Sequence, residues 1–295
     1  MRWRRFSVTA PPQASDSVSA ILQQLFGGLS IVNTQAGPLH QAYTSETADV
    51  EKAQAELEAG LRRIPPELVA ATPVTLEADW VDEQDWAEAW KQHYRPLRVG
   101  KRLVILPSWL SWPDPVSPLQ PRSDDIIIRI DPGMAFGTGA HATTRMCMAA
   151  LEDHLRPGAE VIDFGCGSGI LSVTACKLGA ASVLAIDNDP VCLEVAAANL
   201  VGNAVAERCQ VRLEESLEAI RGPRDLIAAN ITPEVVAEQA AKAARLLEPD
   251  GYYIISGFTD RSDNDVAEAI AAVKLEITDR YDQDEWRCWV TAKQA

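Results

Sequence analysis

The residues most suited to chemistry begin with a glycine-rich turn. In the stretch VIDFGCGSGILSVTACKLG, an apolar run is followed at once by Gly165, Gly167 and Gly169, and then by helix-like residues. Glycine permits positive φ and lets a ligand approach the backbone, and the N-terminus of the following helix presents free N–H groups to negative charge. A tight strand-to-helix turn also favours glycine, so the turn alone indicates a binding site only modestly. The spacing is G-x-G-x-G, because Ile170 stands where the dinucleotide fingerprint requires its third glycine.

A carboxylate ends the next apolar run. Asp187 closes the segment VLAID, about 20 residues after the first glycine, as in dinucleotide sites. A carboxylate at the tip of the second strand of such a sheet can accept hydrogen bonds from both hydroxyls of a ribose. The alternative role is to cap the next helix, but Asp189, directly before Pro190, is the better N-cap. Asp187 is therefore interpreted as a ribose ligand.

An asparagine ends a later apolar run. The segment DLIAAN finishes at Asn230, and ligands of such sheets lie beyond the carboxyl ends of the strands. The amide oxygen and neighbouring carbonyls could accept hydrogen bonds from an amine and aim its lone pair. Local capping is the alternative role, but Thr232 as N-cap and Pro233 as first helical residue already supply a cap. Asn230 is therefore a candidate functional residue.

The elements that would position these side chains alternate along the second half of the chain. From Asp124 onward, the runs DIIIRI, VIDF, SVLAID, LIAAN and YYIISG predict buried strands, and helices are predicted over 170–178, 190–200 and 234–247. The tail LEITDRYDQDEWRCWVTA predicts two strands separated by a turn. We expect an α/β fold with a doubly wound, mostly parallel sheet and an antiparallel last strand.

The first eighty residues predict a separate small domain. RWRRFSVTA, LSIVNT, LHQAYTS and PVTLEA have strand-like patterns, and apolar residues have helical spacing over 18–25 and 50–64. The order βαββαβ is that of a ferredoxin-like α+β domain. We assign residues 1–80 to this domain, 81–121 to a linker helix capped by Asp82 and a Pro-rich connecting segment, and 122–295 to the α/β domain.

Composition limits the classes of partner and site. The net charge of −15 argues against direct nucleic-acid binding and would attract a basic protein, although acidity can also serve solubility alone. The apolar runs are far shorter than the roughly 20 residues of a bilayer-spanning helix, and no secretory pattern follows MRWRRFSVTAPP. The six cysteines lack the spacing typical of disulfides or zinc sites. We expect a cytoplasmic monomer that binds neither membrane nor metal.

Together these features resemble the class I S-adenosylmethionine-dependent methyltransferases. The stretches DPGMAFGTGAHATT and DWAEAWKQHYRPLRVGKRLVILPSW narrow the resemblance to the ribosomal protein L11 methyltransferase family (PrmA). It covers nearly the whole chain and is weakest over about the first seventy residues. The resemblance implies a site for S-adenosylmethionine that uses Thr144, Gly165, Asp187 and Asn230, to which the glycine pattern adds Gly167. It also implies an N-terminal domain that holds the ribosomal protein, and methylation of that protein's amino groups.

In this context the stretch DPGMAFGTGAHATT is a candidate lid over the cofactor. Its three glycines would let it fold down, the Thr144 hydroxyl would reach the methionine part, and Phe136 would meet the cofactor or the incoming amine. His141 is the alternative candidate for a general base. No Asp or Glu lies close in sequence to orient it, and no second His or Cys stands at metal-ligand spacing, so we expect His141 to shape the loop.

The predicted activity is methyl transfer to lysine side chains, the N-terminal amine or both, of a basic large-subunit ribosomal protein. Asn230 would be the catalytic residue that orients the amine, without an obligatory base. The alternatives are a lysine methyltransferase of another protein and a non-catalytic S-adenosylmethionine-binding module. A nicotinamide dehydrogenase is least favoured because of Ile170. The family usually continues Asn-Ile with Leu and small residues, whereas Thr232, Pro233 and Glu234 stand here, a departure that concerns the acceptor pocket.

Overall fold

The computed structural model describes residues 2–26, 30–34, 37–46, 48–69, 73–82, 95–131 and 139–293. These residues form two compact units, one ending at Tyr94 and one beginning at Arg95. Phe136 and the rest of 132–138, together with the predicted linker helix over 83–94, lie outside the described residues.

The first unit is an antiparallel sheet covered by helices, which confirms the ferredoxin-like prediction. Its strands are β1 (Arg2–Thr9), β2 (Ser30–Thr34), β3 (Gly37–Ser45) and β4 (Thr75–Asp82), in the order β2-β3-β1-β4. Its helices are α1 (Ser15–Phe26), α2 (Val50–Leu61) and the short α3 (Pro66–Val69). Every strand pair is antiparallel.

The core of this unit is formed by apolar residues that alternate along the strands and recur with helical spacing along the helices. Phe6 and Val8 of β1 are fully buried against Leu22 of α1 and Leu57 of α2. Asp49 caps α2 by accepting a hydrogen bond from the Lys52 amide at 3.0 Å. The apolar patterns therefore select the strand face and the helix stripes that meet.

Two predicted boundaries in this unit differ from the structure. The second helix ends at Leu61, and Ile64 is buried in the turn that follows, because a single apolar position can reach the core without being helical. Strand β4 continues to Asp82, which pairs with Arg2 of β1. The strand is longer than predicted because its pairing with β1 continues as far as Arg2, the first residue of β1. Sequence spacing does not reveal such cross-strand pairing.

The second unit contains the predicted doubly wound sheet. Its strands are β8 (Glu160–Phe164), β9 (Ser182–Asp187), β10 (Cys209–Leu213), β11 (Arg224–Asn230), β12 (Leu247–Thr259), β13 (Leu275–Gln283) and β14 (Trp286–Lys293). Their order is β10-β9-β8-β11-β12-β14-β13, and β14 runs antiparallel to both neighbours. The strand order reverses between β8 and β11, so the switch point lies at the carboxyl ends of these strands.

The helices of this unit cover both faces of the sheet. They are α4 (Ala142–His154), α5 (Ile170–Lys177), α6 (Pro190–Gly202), α7 (Pro233–Leu246) and α8 (Asp263–Ala272). Ile254 and Val290 pack on one face, and Ile255 and Trp289 pack on the other. Strand β10 and helix α8 were missed in the sequence, and β10 is a half-exposed edge strand without a continuous apolar run.

A separate three-stranded sheet belongs to the same unit. It consists of β5 (Leu97–Val99), β6 (Leu103–Pro107) and β7 (Ile126–Ile130), with β6 and β7 parallel and β5 antiparallel to β6. The segment DIIIRI is therefore a strand, as predicted, but it lies outside the doubly wound sheet. Within the described ranges, no helix has the length and apolar character needed to cross a membrane. The six cysteines are free thiols.

Candidate functional site

The glycine-rich turn joins β8 to α5 at the switch point. Gly165, Gly167 and Gly169 have φ values of +74°, +51° and +76°, a region that side chains rarely adopt. A Cβ atom at Gly165 would lie 2.5 Å from Ile231 Cγ2, and one at Gly169 would lie 3.0 Å from Ala196 Cβ. The turn therefore requires glycine both for its conformation and for the close packing of its neighbours.

Asp187 lies at the tip of β9, beside this turn, and is only 9% exposed. Its Oδ2 accepts a hydrogen bond from the Gly167 amide at 2.9 Å, and its Oδ1 accepts one from the Asp189 amide at 3.0 Å. Asp189 caps α6 through the Val191 amide, as predicted, so Asp187 is not the N-cap. Each carboxylate oxygen has further acceptor capacity, so the pair can still receive two hydroxyl groups.

Asn230 ends β11, the strand next to β8, and lies against the first turn of α4. Its Nδ2 donates to the hydroxyl of buried Thr144 at 3.4 Å, which leaves the Oδ1 atom to act as an acceptor. Helix α4 begins at Ala142 with His141 as N-cap, so Thr144 lies inside the first turn of this helix. The interior position of Thr144 directs its hydroxyl to Asn230.

The predicted N-cap of α7 lies at the expected residue but does not make the expected hydrogen bond. Thr232 occupies the N-cap position of α7 and Pro233 is its first residue, but the Thr232 side chain makes no capping hydrogen bond. The chain is held after Asn230 by a backbone bond from the Ile231 amide to the Ser256 carbonyl at 3.0 Å. Asn230 is therefore placed by β12 and not by a cap.

His141 contacts groups on two elements. Its Nδ1 is 2.8 Å from the Thr143 hydroxyl, and its ring meets the edge of Trp286 at a centroid distance of 4.7 Å. Both contacts orient the imidazole at the start of α4.

The sequence interpretation missed Asp163, a second buried carboxylate beneath the glycine turn. Its Oδ2 accepts hydrogen bonds from the Ser172 amide at 2.9 Å and the Ser172 hydroxyl at 2.6 Å, whereas Oδ1 has no partner among the described residues. Burial raises the pKa of Asp163 to about 6, hydrogen bonds from Ser172 oppose the shift, and repulsion from Asp187 adds to it. The available signal was an acidic residue inside the apolar run VIDF.

This donor and acceptor set fits the cofactor implied by the sequence. The glycines of the turn leave room for a ligand to approach the backbone. The carboxylate of Asp187 can accept hydrogen bonds from ribose hydroxyls, and the Asp163 oxygen without a partner among the described residues is a further buried acceptor. S-adenosylmethionine presents a ribose and positively charged groups. The chemistry of the turn therefore matches that molecule.

The residues on either side of 132–138 also lie beside the glycine turn. The Asp131 amide donates to Asn199 Oδ1 at 2.9 Å, and Asn199 Nδ2 donates to the Ser168 carbonyl at 2.9 Å. On the other side, a Cβ at buried Gly139 would lie 3.0 Å from Ile170, the first residue of α5. The structure therefore brings Thr144, Gly165, Gly167, Asp187 and Asn230 to one edge of the sheet, while Phe136 lies outside the described residues.

Comparison with known proteins identifies the family. The family model "Ribosomal protein L11 methyltransferase (PrmA)" matches residues 2–294. The chain is 36% identical to the ribosomal protein L11 methyltransferase of Pelotomaculum thermopropionicum, over 97% of both chains. It is 43% identical to that of Symbiobacterium thermophilum, over 82% of this chain and 76% of the relative.

A solved structure supports the same assignment. The ribosomal protein L11 methylase from Lactobacillus delbrueckii subsp. bulgaricus is 30% identical, has a TM-score of 0.62 and covers 68% of this chain and 100% of its own. These findings confirm the resemblance seen in the sequence and the class I methyltransferase fold. The chain belongs to the ribosomal protein L11 methyltransferase (PrmA) family.

Proposed function

We propose that this enzyme transfers methyl groups from S-adenosylmethionine to amino groups of ribosomal protein L11, on lysine side chains, the N-terminal amine or both. The observation that carries the proposal is the hydrogen bond from Asn230 to Thr144 at the switch point. It lies beside the glycine turn, whose Gly167 amide donates to Asp187. The first unit would hold the ribosomal protein. A ribosomal substrate would place the reaction in the cytoplasm.

Asp187 and the glycine turn form the proposed cofactor site. Asp187 would bind the ribose hydroxyls, because its Oδ2 atom contacts the turn and both of its oxygens retain acceptor capacity. The absence of side chains at Gly165 and Gly167 would let the cofactor contact the backbone. Thr144 would contact the methionine part, and Phe136 would meet the cofactor or the amine. The cofactor supplies an activated methyl group for in-line transfer.

Asn230 is the proposed catalytic residue. A free lysine, with a pKa of about 10.4, is neutral in less than about one part in a thousand at pH 7, so the acceptor must lose a proton before transfer. A desolvated pocket lowers the pKa of such an amine. Asn230 Oδ1 would accept a hydrogen bond from the neutral amine and aim its lone pair, while Thr144 fixes the amide. Orientation of this kind can supply up to roughly 7–11 kcal/mol of the barrier.

The assignment of substrate is tested with labelled cofactor. Purified enzyme is incubated with S-adenosylmethionine carrying a labelled methyl group and with total ribosomal proteins from a strain that lacks this enzyme. We expect label on ribosomal protein L11, found by mass spectrometry of the separated proteins. Label on a different protein alone would overturn the assignment.

The role of Asn230 is tested by Asn230→Ala. We expect kcat to fall about 100-fold, because the amine loses its orienting acceptor. The pH–rate profile of the unmodified enzyme should follow the acceptor amine. A profile that instead follows a carboxylate or His141 would show that an enzyme base is required.

A further inference from the structure

Two buried asparagines lie four residues apart at the C-terminal end of α6, Asn199 in its last turn and Asn203 at its C-cap. Asn199 and Asn203 are 5% and 4% exposed, and both face β7. Buried amides are costly unless they are hydrogen-bonded. Their partners therefore explain why polar residues occupy this apolar face.

Each amide pairs with the backbone of one residue, Arg129 near the end of β7 or Asp131 directly after that strand. Asn203 accepts from the Arg129 amide at 2.9 Å and donates to the Arg129 carbonyl at 2.6 Å. Asn199 does the same to Asp131, at 2.9 Å for both bonds. The two amides thus take the place of a neighbouring strand, because residues two apart in a strand present their backbone groups to the same side.

The two asparagines differ in one contact. Asn199 Nδ2 also donates to the Ser168 carbonyl at 2.9 Å, whereas Asn203 Nδ2 donates to the Asn199 carbonyl of its own helix at 2.8 Å. Asn199 alone of this pair therefore joins β7 to the glycine turn.

Ser168 lies in the part of the turn that defines the cofactor site. The residue before it, Gly167, donates its amide to Asp187, and the residue after it, Gly169, packs closely against Ala196 of α6. The Ser168 carbonyl shares its peptide group with the Gly169 amide, which donates to the Cys166 carbonyl at 2.8 Å and closes the turn around Gly167. A hydrogen bond to the Ser168 carbonyl therefore restricts the conformation of the turn next to the Gly167 amide, which must point to Asp187.

We propose that Asn199 is a positioning residue for S-adenosylmethionine. By holding the Ser168 carbonyl and the Asp131 backbone with one amide, it keeps the glycine turn in the conformation that receives the cofactor. The inference rests on the proposed function, since it assumes that the turn beside Asp187 is the cofactor site. Asn203 supports β7 in the same manner and does not contact the turn.

The matched pair Asn199→Asp and Asn203→Asp tests the proposal. Each aspartate keeps an acceptor for the strand amide and loses the Nδ2 donors. Both variants should lose similar stability. We expect the Kd for S-adenosylmethionine to rise about tenfold in Asn199→Asp and to stay within about twofold in Asn203→Asp, with the KM for the protein substrate unchanged in both. Equal changes in the cofactor Kd at the two sites would overturn the proposal.

Hydrogen exchange on the unmodified enzyme gives a second test that does not depend on folding of a variant. Addition of S-adenosylmethionine should slow exchange of the Asp131 amide, which Asn199 holds, more than that of the Arg129 amide, which Asn203 holds. Equal slowing of the two amides would contradict a specific role for Asn199.

Asp187→Ala separates failure of this inference from failure of the proposed site. If Asp187→Ala weakens cofactor binding and Asn199→Asp does not, only the role of Asn199 is wrong. If Asp187→Ala leaves cofactor binding unchanged, the proposed cofactor site itself is wrong.

Discussion

The two units place their polar side chains in different parts of their sheets. In the first unit, Arg5 and Asp79 form an ion pair across adjacent strands, and buried His40 contacts the Ser15 hydroxyl and the Val8 carbonyl. In the second unit, polar side chains follow the ends of parallel strands. Neighbouring antiparallel strands end at opposite edges of a sheet, whereas neighbouring parallel strands end at the same edge. Only the second arrangement gathers polar groups from separate strands at one switch point.

Glycine substitution should distinguish the two units most strongly. A Cβ at Gly257 of β12, where φ is +96°, would lie 2.1 Å from the Ile231 carbonyl oxygen, directly after Asn230. We expect Gly257→Ala to lower the free energy of unfolding of the second unit by more than about 3 kcal/mol, because backbone must move in addition to the strained φ. Urea unfolding measures the loss, and methyl transfer should fall with it.

The same substitution in the first unit is the control. A Cβ at Gly60 of α2 would lie 2.9 Å from Ile21 Cγ2, a side-chain atom that can move, and alanine favours a helix over glycine by about 1 kcal/mol. Gly60→Ala should change stability by less than about 1 kcal/mol. Similar losses at Gly60 and Gly257 would show that the edge near Asn230 is no more tightly constrained than a helix contact in the first unit.

The buried carboxylate of Asp163 predicts a pH-dependent stability of the second unit. Burial raises its pKa in the folded state from 3.8 to about 6, so the folded state binds more protons than the unfolded state between these values. Stability from this group is present below the unfolded pKa and is lost as pH rises through about 6. The shift corresponds to about 3 kcal/mol. Asp163→Asn should therefore gain up to about that amount relative to the original protein between pH 4 and pH 7.

Urea unfolding of both proteins across this pH range measures the difference. Ser172→Ala is the matched control, because it keeps the ionisable group and removes the hydroxyl that donates to it at 2.6 Å. The control should lose stability with rising pH at least as steeply as the original protein. A constant difference between Asp163→Asn and the original protein would show that Asp163 does not titrate in this range.

Asp187 and Asp79 provide a comparison of one carboxylate from each unit. Asp187→Ala should weaken binding of S-adenosylmethionine about 100-fold, or about 2.7 kcal/mol, since the ribose loses a charged acceptor. Asp79→Ala should leave the cofactor Kd unchanged. Isothermal titration calorimetry measures both, and an equal effect of the two substitutions would break the distinction between the units.

The smallest expected effect is the contribution of the Arg5–Asp79 ion pair to the stability of the first unit. These side chains are 31% and 52% exposed, so solvent screens their attraction although two hydrogen bonds join them. A double-mutant cycle of Arg5→Ala and Asp79→Ala should give a coupling free energy below about 1 kcal/mol. A larger coupling would mean that this strand face is more shielded from solvent than its exposure indicates.

Sequence patterns were sufficient for the main elements and for part of the site. The continuous apolar runs of β8, β9 and β11 identified a parallel sheet covered on both faces, and this topology placed Asp187 and Asn230 at one edge. Asp163 was missed because a carboxylate inside an apolar strand has no distinguishing spacing. Its orphaned oxygen depends on the residues packed around it.

The family, the doubly wound sheet and the glycine turn could be predicted from the sequence alone. Each depends on local features, namely motif residues, continuous apolar runs and the spacing of glycines. The separate β5-β6-β7 sheet, the contact of Thr144 with Asn230 and the bridge by Asn199 were decided by the tertiary structure. Asn199 and Ser168 come from different elements and meet only when α6 packs over the turn. Contacts of this kind depend on which surfaces are buried together, and no local pattern encodes that pairing.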